Sequence, residues 1–342
     1  YTDIAGTPAL RAAVAAKFLR DSGIDYRPEE VIVSTGGKQV IFNAMLATMN
    51  AGDEVIIPTP AWVSYPDIVA FTDGKPVLVP CAENNRFMLR AEELEAAITP
   101  RTRWFMLNNP CNPTGAVYTA ADLRPLCDVL LRHPEIWIFT DDIYEKLAYD
   151  GVRPATIVQV EPRLRSRTVT MNGCSKSYAM TGWRMGFAGA PVELIRAMDK
   201  LQGQSTANPS SITQAAALAA LTGPQDCVGE MVAVYRQRRD MVVAMLNEAP
   251  GLNCHQPDGA FYVVPSIRGC LGKTTPGGTT ITDDESFVLA LLEEAGVATV
   301  HGAAFLAAGH FRLSYAADTR LLREACTRIQ EFCRALQGPR SQ

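Results

Sequence analysis

The chain has 342 residues, 47% hydrophobic and 20% charged, with a formal net charge of −4. That length predicts about two domains around a sizeable core. The mild acidity argues against a nucleic-acid face, and no apolar run approaches the roughly 20 residues of a membrane span, so neither partner is expected.

In chain order, Leu10, Val14 and Phe18 recur at helical spacing after Pro8. A strand-like Val31-Ile32-Val33 comes next, then a glycine pair and a helical stretch from Gln39 to Met49. Glu54–Ile57 reads as a strand stopped by Pro58 and Pro60; Trp62–Phe71 reads as a helix, Val77–Val79 as extended and Ala91–Ile98 as a helix. Trp104–Leu107, Ile136–Thr140, Thr168–Met171 and Met185–Ala188 are short apolar runs of the kind found in sheets buried on both faces, and Val192–Leu201 is again helical. Strands alternating with helices predict an α/β fold: a three-layer α/β/α large domain with a mostly parallel sheet, in which ligands sit at the carboxyl ends of strands.

Past a long helical run at Met231–Leu246 the pattern changes. Short strands near Ala260–Val264 and Phe311–Tyr315, a Gly-rich loop at Gly269–Gly278 and helices at Asp284–Ala295 and Thr319–Leu336 predict a smaller α+β domain. The expected domains are 1–235 and 236–342. Nine scattered cysteines without a CxxC pair indicate reduced thiols in a cytoplasmic protein. The four histidines lack metal-ligand spacing, and no metal is expected. The chain opens on Tyr1 without a Met, which reads as a start inside a longer natural sequence.

Lys176, in Met171-Asn172-Gly173-Cys174-Ser175-Lys176, sits just past a buried strand, with Arg184 eight residues on. Burial lowers a lysine pKa toward the range where it attacks an aldehyde, and an arginine holds phosphate in bidentate fashion; the same spacing also fits a surface lysine and an unrelated arginine. Asp141 closes the Ile136–Thr140 strand with Tyr144 three residues on. A carboxylate there is placed to pair with a pyridine nitrogen, and equally to cap a helix. Gly36-Gly37-Lys38 lies between strand and helix, where backbone N–H groups meet anions. Asn109-Pro110-Cys111-Asn112-Pro113-Thr114-Gly115 is a stiff loop that presents Asn112, or a plain tight turn. Trp62 suits stacking or a core position. Arg312 is a charge inside an apolar strand and needs a partner, for which a substrate carboxylate is one candidate.

Together and in this order these stretches, with Tyr1-Thr2-Asp3-Ile4-Ala5-Gly6, Thr181-Gly182-Trp183-Arg184 and Gly259-Ala260-Phe261-Tyr262, resemble the fold-type I class I aminotransferases, the aspartate aminotransferase branch most closely. The resemblance spans essentially the whole chain. It implies pyridoxal 5′-phosphate as cofactor, bound to Lys176 as a Schiff base, with Lys176 then shuttling the substrate's α-proton. It further implies that Asp141 pairs with the pyridinium nitrogen, that Tyr144 and Asn112 hold the phenolic oxygen, and that Trp62 stacks on the ring. Gly36, Gly37, Lys38 and Arg184 would surround the phosphate, and Arg312 would clamp the substrate's α-carboxylate. Tyr1 would reach the partner's phosphate in a homodimer with shared active sites.

Family members carry a segment before the position of Tyr1, some place a phosphate-binding serine where Gly173 stands, and a tyrosine is common in place of Ala61. Lys38 and the Gly272–Gly278 loop resemble a bacterial branch that takes dicarboxylic amino acids, which implies L-aspartate and 2-oxoglutarate as substrates, with prephenate or aromatic amino acids as extras. The competing readings are a fold-type I lyase or synthase, told apart by its product; the effector domain of a regulator, which carries a helix-turn-helix; and a nicotinamide dehydrogenase, whose dinucleotide fingerprint is missing.

Overall fold

The first helix, α1 (Pro8–Ser22), begins and ends on its own chemistry. Thr7 Oγ1 accepts a 3.3 Å hydrogen bond from Leu10 N, Pro8 fills the first turn, and Gly23 in the left-handed region closes the helix. In this computed structural model, which describes residues 1–338, the chain then runs through β1 (Val31–Ser34), α2 (Gly37–Thr48), β2 (Glu54–Thr59), α3 (Ser64–Phe71) and β3 (Lys75–Pro80). After them come α4 (Ala91–Ala97), β4 (Thr102–Asn108), α5 (Ala120–Arg132), β5 (Trp137–Asp141) and the short α6 (Ile157–Val160). β6 (Thr168–Gly173), the single turn α7 (Cys174–Ser177), β7 (Gly186–Gly189), α8 (Val192–Gly203) and α9 (Ser211–Thr222) complete this part, and α10 (Asp226–Asn247) leads out of it.

The chain forms two compact units. One holds Tyr1–Pro58, Ser64–Pro110 and Val117–Gly229; the other holds Thr59–Val63, Cys111–Ala116 and the chain from Glu230. The loops carrying Trp62 and Asn112 therefore belong to the unit of the C-terminal segment, although they precede it in sequence by more than a hundred residues.

The large unit is built on a seven-stranded sheet in the order β1-β7-β6-β5-β4-β2-β3. β2, β4, β5 and β6 pair in parallel, while β7 runs antiparallel to both β6 and β1. It is the mostly parallel sheet that the strand–helix alternation predicts. β6 is buried along its whole length, and β4 and β5 nearly so, because helices cover both faces. Leu10, Val14 and Phe18 of α1 pack with Val31 and Val33 of β1, Phe187 of β7, and Ala217 and Leu221 of α9 in one buried cluster. In the strand register Asn108 lies opposite Asp141, and Asp141 opposite Met171, so the ends of three neighbouring strands meet at one edge.

The second unit continues through β8 (Tyr262–Val263), α11 (Asp284–Ala295), β9 (Val300–His301), β10 (Phe311–Ser314) and α12 (Thr319–Ala335), with an antiparallel sheet in the order β8-β10-β9. Leu322, Cys326, Ile329, Phe332 and Cys333 form the buried stripe of α12 at helical spacing.

Two boundaries differ from the sequence reading. The helix expected from Trp62 starts at Ser64, since Thr59–Val63 belongs to the other unit. The helix expected from Gln39 starts at Gly37, two residues earlier, in a turn that apolar periodicity does not mark. Helices α5 and α9 are additions to the expected elements; α5 carries Pro125 in its interior, and α9 is an alanine-rich run without a clear polar face. No described helix is long and apolar enough to cross a membrane. Among the described residues no two cysteines are bridged, and no cluster of three or more His, Cys, Asp or Glu side chains is placed to hold a metal ion.

Candidate active site

Asp141 is the last residue of β5 and only 4% exposed. Its Oδ2 accepts a 2.6 Å hydrogen bond from the Tyr65 hydroxyl, and its Oδ1 accepts one of 3.2 Å from Ile143 N. Its carbonyl oxygen is bound too, by Asn108 Nδ2 at 2.8 Å and Asn109 N at 3.0 Å, so backbone and carboxylate are both fixed. Burial pushes the carboxyl up to about 6, opposed by the bonds from Tyr65 and Ile143 and by the charge of Lys176. The carboxylate is thus held close to the point where a cationic partner decides its ionisation.

Lys176 lies in α7, one turn past β6, and is half-buried. Its Nζ stands 5.7 Å from the centroid of the Tyr144 ring, and Tyr144 is 3% exposed. The loop after Asp141 is tied back to the lysine's strand, because Asn172 Nδ2 donates to Asp142 O at 3.0 Å. Within this unit the structure gathers Asp141, Tyr144 and Lys176 around the carboxyl ends of β5 and β6.

The turn from β1 into α2 depends on Gly36. Its φ of 88° lies in the region that side chains avoid, and a Cβ there would come 2.5 Å from Arg184 Nη2. Arg184, itself left-handed at φ 54°, is exposed and donates from Nη1 to Thr181 O at 2.9 Å. A guanidinium therefore lies against the backbone that opens the 12-residue α2, whose first N–H groups and dipole attract anions. Lys38, exposed on that same turn, adds a second cation, and the cradle suits a dianionic phosphate. Gly173 has no room for a side chain: a Cβ would lie 2.7 Å from Met185 O. Tyr1 is fully exposed, but the segment after it is anchored. Gln202 Nε2 donates to Ile4 O at 2.7 Å, and Gln214 Oε1 accepts from Thr7 N at 2.8 Å.

In the second unit, Arg312 on β10 donates from Nη1 to Asn112 Oδ1 at 2.9 Å. Its guanidinium carbon lies 4.4 Å from the centroid of Tyr262 and 4.3 Å from that of Phe305, so two aromatic faces fix its plane. Asn112 is 6% exposed in a loop closed by Gly115 N to Cys111 O at 2.8 Å and Cys111 N to Ala116 O at 2.9 Å. Trp62 is half-buried beside Ala61, whose N donates to Phe305 O at 3.0 Å. A planar arginine presented in this way matches a carboxylate.

Sequence reasoning did not find Tyr65, Phe305 or the role of Tyr262. Tyr65 sits 76 positions before its partner Asp141 on the first turn of a short helix, and no local pattern marks it. Tyr262 falls in a stretch that carries the resemblance, but its place against Arg312 is set by the pairing of β8 with β10.

The family described as aminotransferase class I and II matches residues 1–329. An aspartate/prephenate aminotransferase from Cereibacter sphaeroides is 56% identical over 336 residues, covering 98% of this chain and 84% of that protein. The crystal structure of an aspartate aminotransferase from Rhizobium meliloti superposes with a TM-score of 0.96 at 53% identity, covering 98% of this chain and 84% of that one. An aspartate aminotransferase from Thermus thermophilus with maleate gives a TM-score of 0.89 at 40% identity, over 97% of this chain and 83% of that one. The chain belongs to the class I and II aminotransferase family and is a transaminase.

Proposed function

We propose that this transaminase moves the α-amino group of L-aspartate to 2-oxoglutarate, with pyridoxal 5′-phosphate as cofactor and Lys176 as its covalent carrier. The observation that carries the reading is Asp141, a buried carboxylate with both oxygens held, which burial pushes up and the bonds from Tyr65 and Ile143, then the charge of Lys176, draw back toward the anion. Such a group suits a pyridine nitrogen, and the Gly36–Arg184 cradle suits the phosphate of the same molecule.

When bound, pyridoxal phosphate supplies an aldehyde that captures amines and a ring that accepts the electron pair of the α-carbon. Asp141 keeps a proton on the ring nitrogen. Lys176 is the residue that would hold the cofactor's aldehyde carbon, and its Nζ would carry the proton taken from the substrate's α-carbon. The Tyr144 hydroxyl donates to the ring oxygen, and Asn112, whose Oδ1 is engaged by Arg312, does so from Nδ2. Trp62 stacks on the ring. Gly36, Gly37, Lys38 and Arg184 bind the phosphate, and Arg312 binds the substrate's α-carboxylate.

The names of the relatives and the maleate in the Thermus structure support a dicarboxylic substrate, for which Lys38 is the cation we assign to the distal carboxylate. The Cereibacter name favours prephenate as an additional 2-oxo acid. The working form in this reading is a cytoplasmic homodimer in which Tyr1 reaches the partner's phosphate. The test is isotopic: [15N]aspartate and 2-oxoglutarate should give [15N]glutamate and oxaloacetate, whereas release of labelled ammonia would mark a lyase.

A further inference from the structure

We infer that Tyr65 is a positioning residue for the cofactor's ring nitrogen, acting through the 2.6 Å hydrogen bond that its hydroxyl donates to Asp141 Oδ2. The inference rests on the proposed pairing of Asp141 with a pyridine nitrogen. Tyr65 is 2% exposed and stands on the first turn of α3, while Asp141 ends β5, so the bond joins two separate elements inside one buried core.

A carboxylate has four lone-pair positions and a rotatable plane. Ile143 N, in the turn after β5, binds Oδ1 and Tyr65 on α3 binds Oδ2, so two donors fix the plane that one alone would leave free to swing. The same bond has an electrostatic consequence. A hydroxyl donor favours the ionised carboxylate, and burial disfavours it. Among the groups around Asp141, Lys176 on α7 also favours the anion, while the adjacent Asp142, which burial pushes well up, interacts with it as a like group. The residues in register on β4 and β6, Asn108 and Met171, carry no charge. Tyr65 heads the opposition to burial. Without it the carboxyl becomes more basic, and the proton it shares with the ring nitrogen moves toward the oxygen.

The test uses the full chain, wild type and Tyr65→Phe, a change that keeps the ring and removes only the hydroxyl. Uptake of pyridoxal phosphate by the cofactor-free protein is titrated from pH 6 to pH 9. Tyr65→Phe should bind about ten-fold or more weakly near pH 6.5 and recover toward wild type at pH 9, where the carboxyl is ionised in both proteins. In cofactor labelled with 15N in the ring, the nitrogen of the variant should shift toward its unprotonated position. A profile identical to wild type, or a loss equal at every pH, would overturn the inference while leaving the cofactor reading intact. A wild-type chain that takes up no pyridoxal phosphate would overturn that reading, and the inference with it.

Discussion

Asn112 Oδ1 accepts a 2.9 Å hydrogen bond from Arg312 Nη1, joining residues 200 positions apart within one unit. With Tyr262 and Phe305 on its faces, the guanidinium is set in one plane before any substrate arrives. Preorganisation of this kind spares the ordering cost that a mobile side chain meets on binding. Arg312→Lys keeps the charge and loses the planar fork. A hydrogen bond to a charged group is worth about 1.5–3 kcal/mol, so losing one arm of the fork should lower kcat/KM for every amino acid by about ten-fold or more. Phe305→Leu removes one aromatic face, worth about 0.5–2 kcal/mol, and should raise KM by several-fold with little change in kcat. Steady-state kinetics on both variants separate the two effects.

Lys176→Ala removes the only amine that the proposal allots to the cofactor's aldehyde. Reduction of the wild-type protein with borohydride should fix the cofactor on the peptide containing Lys176, seen as a mass increase. The variant should bind the phosphate end without any fixed label and should fail to exchange the α-proton of aspartate. Label on another lysine would reassign the role.

The ionisation of Asp141 sets a pH dependence whose sign comes from burial. Its carboxyl stands at about 6 in the folded chain, above its ordinary value, so between those two points the native state holds more protons than the unfolded one. The cofactor-free protein therefore loses stability as pH rises through that window, by on the order of 3 kcal/mol for this group alone. Asp141→Asn should lose less, and its denaturant midpoint should gain on wild type between pH 4 and pH 7. Cofactor uptake has the opposite slope, because pairing with a pyridinium needs the anion. Wild-type affinity should fall as pH drops below about 6, and in Asp141→Asn that step should be missing.

Gly36→Ala places a methyl group 2.5 Å from Arg184 Nη2 at a φ of 88°. Left-handed backbone costs a side-chain-bearing residue about 1–2 kcal/mol, and the guanidinium must also move. Weaker binding of inorganic phosphate to the cofactor-free protein, by about ten-fold or more, is the expected result by calorimetry. Gly151→Ala, at a positive φ with no atom within 4 Å of the added carbon, should cost stability and leave phosphate binding unchanged.

Lys38→Ala tests substrate class. If its ammonium meets the distal carboxylate, then at saturating cofactor kcat/KM for aspartate should fall by about thirty-fold more than that for alanine, whose own loss reports the phosphate contact. An equal small loss for both would leave dicarboxylate recognition without its residue.

Much of the large unit is legible in the sequence because its strands are short apolar runs and its chemistry sits at their ends. Asp141 and Lys176 come at the ends of β5 and β6, and the glycine pair comes after β1. The features that are not legible depend on packing between distant stretches. Tyr65 gains its meaning only when α3 is laid against the end of β5, and Phe305 only when a loop is folded beneath Arg312. Helix α9 is hard to read because alanine neither declares a face nor breaks one. The loops of Trp62 and Asn112 look like parts of the first domain because sequence order places them there, whereas they pack with the unit of the C-terminal segment.

The most direct measurement is the absorption spectrum of the protein incubated with pyridoxal phosphate, before and after L-aspartate is added without a 2-oxo acid. The yellow absorption of the covalently held cofactor should bleach on aspartate and return on 2-oxoglutarate. A protein that stays colourless and takes up no pyridoxal phosphate, or one whose yellow form ignores aspartate, would contradict the assignment of an aspartate transaminase.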